Sequence, residues 1–333
     1  MAYDVEPFTL SLPLTVDLDE VFVRSAALVD LDEVFVRSAA LVGLDEVFVR
    51  SAALVGQIPA VLGDVLDRLV EGSEPSGAVL LRGLPVGELP DTPSTPGAVI
   101  TKDRTSEFVL MAVALRLGEP VGYAPEHGGN IVQNIVPVRS TAARQVSTSS
   151  DVSLDFHTET AFHPHKPHYL LLLCLRGDPA ASTTLCSVGD ALRLLDDDTV
   201  ATLWSARFRT RPDASFLSDS DAGGQFGAPQ PILTGSFGRP AVTFDADLMI
   251  GIDSAANVAL SALRDAVRVA HVGIVLAPGD LLVIDNHAAV HGRNPFVPRY
   301  DGTDRWLQRT FVVDDLAAST TERIGRVLTT TFH

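Results

Sequence analysis

Apolar residues recur along this chain in two rhythms, a three-to-four-residue spacing in a few stretches and a two-residue or continuous spacing in many short ones. The first is the signature of a helix with one buried face, and the second that of a strand. Helical spacing predicts helices over Ile58 to Val70, Phe108 to Leu117, Gly189 to Leu203 and Ser254 to Val272. Gly77 to Leu84 (GAVLLRGL) reads as a buried strand bounded by turns, and Gly128-Gly129 breaks the chain before the β-rich run Ile131 to Val138. Further strands are expected over Val152 to Phe156, Tyr169 to Leu175, Thr183 to Ser187, Ala241 to Phe244, Leu281 to Ile284 and Trp306 to Val313. Ser94 to Gly97 belongs to a Pro-rich loop, and the Gly, Ser and Asp-rich stretch Pro212 to Pro231 is too polar for core. That stretch is a candidate lid over a cavity mouth. Many short strands after a helical opening predict an α+β fold whose centre is a jelly-roll-like barrel with helices packed outside.

One segment obeys neither rhythm. LDEVFVRSAALV occurs three times, from Leu18, Leu31 and Leu44, with a period of 13 residues. Thirteen residues turn a helix by roughly 220° beyond whole turns, so one continuous helix would send equivalent apolar residues to different sides. Solenoid repeats are longer and diverge. The repeat therefore reads as a tandem duplication of one helical segment, with an interaction arm of stacked short helices as the alternative. The expected division is an N-terminal repeat segment over 1–56 and a single domain over 57–333.

Composition narrows the partners. With 25 Lys and Arg against 42 Asp and Glu in 333 residues the formal charge is −17, which argues against a phosphate-binding surface and hence against nucleic acid. No stretch has membrane-spanning length, and Met1 to Leu10 carries Asp4 and Glu6 with no basic residue, unlike a secretory signal. A cytoplasmic protein with two buried thiols, Cys174 and Cys186, is expected.

The chemistry-bearing pattern is His157-Thr158-Glu159 followed far downstream by His291, Arg305 and Arg309. Strand alternation puts His157 and Glu159 on one face. Alone, such a triplet is weak, since a chain with 9 His supplies roughly one by chance. The segment Asp285 to Arg293 strengthens it, because a strand there ends in His291-Gly292; His287 is the runner-up ligand and otherwise structural. His163, His165 and His168 alternate with prolines and Lys166 and read as a loop after the ligand strand, with a second metal site as the lesser alternative. Two imidazoles and a carboxylate hold non-haem Fe(II) on one face and leave the other open to O2 and a cosubstrate. The same set serves hydrolytic zinc, but that chemistry needs a separate general base, whereas here the companions are arginines. Arg305, Leu307, Arg309 and Phe311 share a strand face, so two guanidinium groups enter one cavity, which expects two small carboxylate ligands. The plain alternative is pairing of one arginine with Asp301 or Asp304.

From Gly77 to Val313 these residues resemble the Fe(II)/2-oxoglutarate-dependent oxygenases, and within them the clavaminate synthase-like branch that includes asparagine and arginine β-hydroxylases. The resemblance is carried by FHTETAFHPHKPHYLLLLCLRGD, AVHGRNPF and DGTDRWLQRTFVV. It implies a double-stranded β-helix core, Fe(II) on His157, Glu159 and His291, and 2-oxoglutarate on that iron with its distal carboxylate on Arg305, helped by Thr183 or Thr184. It further implies that Arg309 binds the substrate α-carboxylate. Glutamate rather than a small residue at 159 argues against a halogenase.

Asp245 and Asp247 resemble the Asp-x-Asp with which arginine-acting relatives hold a guanidinium, where one acid suffices for asparagine; the plain reading is a solvated turn. Glu126 and Gln133 lie where relatives contact the substrate amino group. The implied reaction is hydroxylation of a free basic L-amino acid, arginine first and lysine second, at an unactivated β or γ carbon, in specialised metabolism such as antibiotic biosynthesis. A carrier-bound amino acid or another small acid such as a sulfonate is the alternative within the fold. A zinc hydrolase and a non-catalytic small-molecule-binding barrel are the alternatives from other classes.

Overall fold

The computed structural model describes residues 11–17, 60–217 and 225–332. The 13-residue repeat lies outside these. Named in chain order, the elements are β1 Leu14–Asp17, α1 Ala60–Val70, β2 Ala78–Arg82, α2 Thr105–Leu117, β3 Glu119–Tyr123, β4 Gln133–Ile135, β5 Leu154–His157, β6 Tyr169–Arg176 and β7 Ser182–Ser187. They continue as α3 Val188–Leu192, α4 Asp197–Leu203, β8 Phe208–Thr210, β9 Leu233–Ser236, β10 Arg239–Val242, β11 Met249–Gly251 and α5 Ser254–Ala270. The chain closes with β12 Val272–Val275, β13 Leu281–Asp285, β14 Ala289–Arg293, β15 Trp306–Val313, β16 Arg323–Ile324 and β17 Val327–Leu328.

Two sheets do the architectural work. One has nine strands in the order β1-β2-β13-β6-β15-β3-β17-β16, with β4 added alongside β15. The other has four, in the order β12-β7-β14-β5. At the centre of the large sheet β6 (YLLLLCLR) runs antiparallel to both β13 and β15. A strand buried on both faces needs an unbroken apolar run, which is what this one has. Its alternate side chains part company: Leu171 and Leu173 pack with Phe108, Met111 and other residues of α2 on the outer face. Leu170, Leu172 and Cys174 face inward toward Leu185 and Ile274 of the small sheet. Each fully buried leucine contributes on the order of 1.5–3 kcal/mol. Behind the small sheet lies a third layer, where α5 buries Ala256, Ala259, Leu260, Leu263 and Val267 at helical spacing against Phe208, Phe244 and Val290. The result is a mixed, sheet-rich core with helices outside it, and among the described residues no helix is long and apolar enough to cross a membrane.

The departures from the sequence pattern have local causes. The helix expected over 189–203 is two, because the Asp196 side chain accepts from Thr199 N and starts α4 afresh. The expected Ser254 to Val272 helix ends at Ala270, since Val272 begins β12 and pairs with Leu185. The strand expected over 131–138 narrows to Gln133–Ile135, shortly before Pro137, which has no N–H to give a ladder. Within the polar stretch 212–231, Phe216 is buried, at 6% exposure, against Tyr123 and Phe162. Leu14–Asp17, upstream of the repeat, pairs in parallel with β2. Cys174 and Cys186 are free and buried.

Candidate active site

The two sheets enclose a cavity of about 410 Å3. Into it β5 and β14 deliver a pair of imidazoles, because antiparallel pairing sets His291 directly across from His157. Their ring centroids are 4.4 Å apart. Past His157 the chain leaves the ladder. Thr158 N donates to Phe244 O (2.7 Å), and Thr160 takes a positive φ of 47°. This turn brings Glu159 back to the imidazoles, its Oε2 lying 3.3 Å from His291 Nε2 and 3.9 Å from His157 Nε2. The ligand atoms of the three residues all lie within 4.8 Å of one another.

A residue that the sequence pattern did not single out holds the turn. Asn286, fully buried, accepts from Glu159 N (2.6 Å) and donates to Glu159 O (3.2 Å) and Pro167 O (2.9 Å). The Glu159 peptide is thereby clamped by a side chain as if by a neighbouring strand. Its only sequence signal is its place in Asp285-Asn286-His287, just before β14.

The donor set suits a metal ion. His157 Nδ1 lies 2.7 Å from Asp155 O, which fixes the proton there and leaves the Nε2 lone pair facing Glu159. Glu159 Oε2 is buried without a hydrogen-bond partner in the space between the rings. Burial would raise the Glu159 carboxyl, but Arg309 and the two imidazoles outweigh it and hold it at about 2. Burial, reinforced by His157, lowers His291 to about 4. Near neutral pH Glu159 is therefore an anion and His291 neutral, the forms in which they bind metal.

The arginines occupy the same cavity. Arg309 gives Nε and Nη2 to Gln133 Oε1 (2.9 and 2.6 Å), Nη1 to Glu159 Oε1 (3.2 Å) and Nη2 to Glu126. Glu126 Oε2 and Gln133 Nε2 remain buried and unpartnered. Arg305, 7% exposed, meets no carboxylate within ion-pair distance among the described residues, so neither Asp301 nor Asp304 takes it. Instead Asp304 accepts from the backbone of Arg299 and Tyr300. Thr183 lines the cavity beside Arg305 and Arg293, whereas Thr184, on the other face of β7, does not. Arg293 is a third guanidinium that the sequence pattern left unassigned; it donates to Ser149 Oγ (2.9 Å).

At the other end Asp245 lines the cavity and bridges to His157 through its backbone. Burial raises its carboxyl, partly offset by His157. Asp247 departs from expectation, being exposed and outside the lining. Asp245 Oδ1 accepts from Asp247 N (2.8 Å) and Leu248 N (2.7 Å), an Asx turn that swings the second acid outward. Asp213, in the polar stretch, lines the cavity instead. His287 lies outside it, so His291 rather than His287 joins the triad.

The chain is similar to known proteins over most of its length. Residues 53–311 match the family described as taurine catabolism dioxygenase TauD, TfdA family. The chain is 43% identical to the L-asparagine oxygenase of Streptomyces coelicolor over 269 residues, covering 78% of each protein. It is 36% identical to the L-lysine 3-hydroxylase of Catenulispora acidiphila, covering 83% of this chain and 78% of that protein. Among solved structures, asparagine oxygenase in complex with Fe(II), 2S,3S-3-hydroxyasparagine and succinate superposes with a TM-score of 0.85 at 36% identity, covering 95% of this chain and 98% of that one. The non-heme iron oxygenase OrfP with Fe, succinate and (3S)-hydroxy-L-Arg superposes with a TM-score of 0.82 at 28% identity, covering 95% and 99%.

Proposed function

The chain belongs to the TauD/TfdA family of dioxygenases, and from that premise we propose that it hydroxylates a free L-amino acid with a basic side chain, arginine first and lysine second, using Fe(II), 2-oxoglutarate and O2. The observation that carries this reading is the meeting, in one cavity, of a facial ligand set with a buried guanidinium that has no carboxylate of its own. We read the two sheets as the walls of a double-stranded β-helix that holds both ends of that cavity, and residues 57–333 as one domain following the 1–56 segment.

His157, Glu159 and His291 would hold the iron, which when bound supplies O2 activation coupled to decarboxylation of 2-oxoglutarate to succinate, with one oxygen atom passing into a substrate C–H bond. Everything else is positioning. Arg305, with Thr183 beside it, takes the distal carboxylate of 2-oxoglutarate. A buried cation without a counter-ion is costly, so the site favours an anion of that reach. Arg309 takes the substrate α-carboxylate, to which Gln133 can donate from its unpartnered Nε2, and Glu126 offers its unpartnered Oε2 to the α-amino group. The reacting carbon is thereby aimed by contacts at the constant end of the amino acid. Asp245 meets the cationic end of the side chain.

Relatives that act on lysine, on ornithine and arginine, and on enduracididine support a basic substrate. Asparagine is the second reading, favoured by the exposure of Asp247, which leaves Asp245 as the one acid of its turn. The deciding experiment measures succinate release with Fe(II) and 2-oxoglutarate across the standard amino acids. Stimulation by arginine or lysine is expected, stimulation by asparagine alone would select the second reading, and equal unstimulated turnover with every amino acid would sink both.

A further inference from the structure

Outside the cavity the fold builds a second set of residues with the same chemistry. Asp285, the last residue of β13, and the Asn286-His287 that follow it have an acid-x-His order, the reverse of His157-Thr158-Glu159, and His168 approaches them from the segment before β6. The ligand atoms of His168, Asp285 and His287 lie within 4.8 Å of one another, as in the first triad. The two imidazoles have centroids 4.4 Å apart, the same as His157 and His291. His168 Nε2 is 3.6 Å from Asp285 Oδ1, within the span of the corresponding distances in the cavity.

The direction of the lone pairs is the informative part. His168 Nδ1 is 2.5 Å from Asp314 Oδ1, and the ring stacks on Tyr169 at 4.3 Å. A carboxylate behind Nδ1 holds the proton there and turns the Nε2 lone pair toward Asp285, in the carboxylate–histidine–metal order that orients metal-binding imidazoles. The imidazole nitrogen and Asp285 Oδ1, which also accepts from His287 N (2.8 Å) and Ala288 N (3.2 Å), then face each other beyond hydrogen-bond reach. That separation is close to the edge of about 3.3 Å expected between two ligands of a tetrahedral ion bound at about 2.0–2.1 Å. We propose that His168, Asp285 and His287 form a second metal site, distinct from the catalytic one, for an ion of the zinc, cobalt or nickel class.

Charge and access select that class of ion. Two carboxylates, Asp285 and Asp314, belong to or border the cluster, and two cations, Lys166 and Arg239, lie close enough to act on it electrostatically. Net charge therefore does not draw a hard ion such as Mg(II) or Ca(II), and the two imidazoles have to supply the affinity. The Lys166 ammonium is directed elsewhere, donating to Thr243 Oγ1 (2.5 Å) and Val242 O (3.0 Å). The His168 side chain is 22% exposed and that of Asp314 67%, leaving a route for an ion.

The test is metal stoichiometry of the full chain, by equilibrium dialysis against Co(II) with excess Mg(II) to clear weak acidic sites. Two Co(II) per chain are expected for the parent protein, one for H287A and one for the H157A/H291A double variant. One ion in the parent protein, or two still in H287A, would overturn the proposal. One in the parent protein would leave His168 as a bridge between two carboxylates and nothing more. Should H287A fail to fold, the visible spectrum of the Co(II)-loaded parent protein decides it. 2-Oxoglutarate should shift the bands of one bound ion and leave those of the other unchanged, whereas a shift of all the bound cobalt overturns the second site.

Discussion

Arg305, just before β15, and Arg309 within it line the same cavity four residues apart, and both are buried, yet their surroundings are opposite. Arg309 is enclosed by Glu126, Gln133 and Glu159, which come from the turn after β3, from β4 and from the turn after β5. Arg305 has Thr183 and a second guanidinium, Arg293, for neighbours. Burial pulls both down in pKa; at Arg309 the acids reverse the shift, and at Arg305 nothing nearby does so fully. One residue type on one strand thus becomes two devices. Where the protein supplies the counter-charge, the guanidinium is a preset fixture that a ligand shares. Where it does not, the guanidinium is left in want of an anion, which on the proposed reading is the cosubstrate's.

The sharpest way to break that comparison is Arg305→Ala. Losing one partner of a buried charged pair costs about 3 kcal/mol, so affinity for 2-oxoglutarate should fall on the order of 10²-fold while Co(II) affinity holds. Titration of the two ligands measures both, and a loss falling on the amino acid instead would reverse the assignment. Arg309→Lys keeps the charge and loses the fork, and should raise the amino-acid KM roughly tenfold. Succinate formation without substrate should persist in that variant, and its disappearance would mean that Arg309 serves the cosubstrate. The smallest effects separate the two aspartates. Asp245→Asn should weaken amino-acid binding by about 1 kcal/mol, while Asp247→Asn stays within about 0.5 kcal/mol of the parent. Equal effects on KM would show that the acid turn moves when substrate enters.

Much of this was legible in the residues, and the reasons differ by element. β15 reads off the sequence over its full length, because Trp306 to Val313 is apolar at five of its eight positions and the alternation of Arg305, Leu307 and Arg309 survives the register shift beside Trp306. The pairing of His157 with His291 was legible as chemistry, although not as geometry. Strand alternation alone would place Glu159 on the His157 face, but the strand stops at His157, and a turn with a positive φ at Thr160 carries the carboxylate. Asn286 was invisible because its role is to bond a peptide 127 positions away. Asp247 misled for a local reason, since its backbone is tied to the side chain of Asp245. The second imidazole cluster hid in plain view, split between a proline-rich loop and the end of a strand.

The clamp on the Glu159 peptide separates two kinds of change that this chain can accumulate. The redox end is fixed by Phe244, Asn286 and β14, each anchored in the sheets or in the packed layer behind them. The far end is bounded by the segment 141–148 and by 213–216, which lie on connections between strands. Substitutions in those connections can reshape what fits while the oxidising machinery stays in register, so selectivity is free to drift on a scaffold whose reactivity is not.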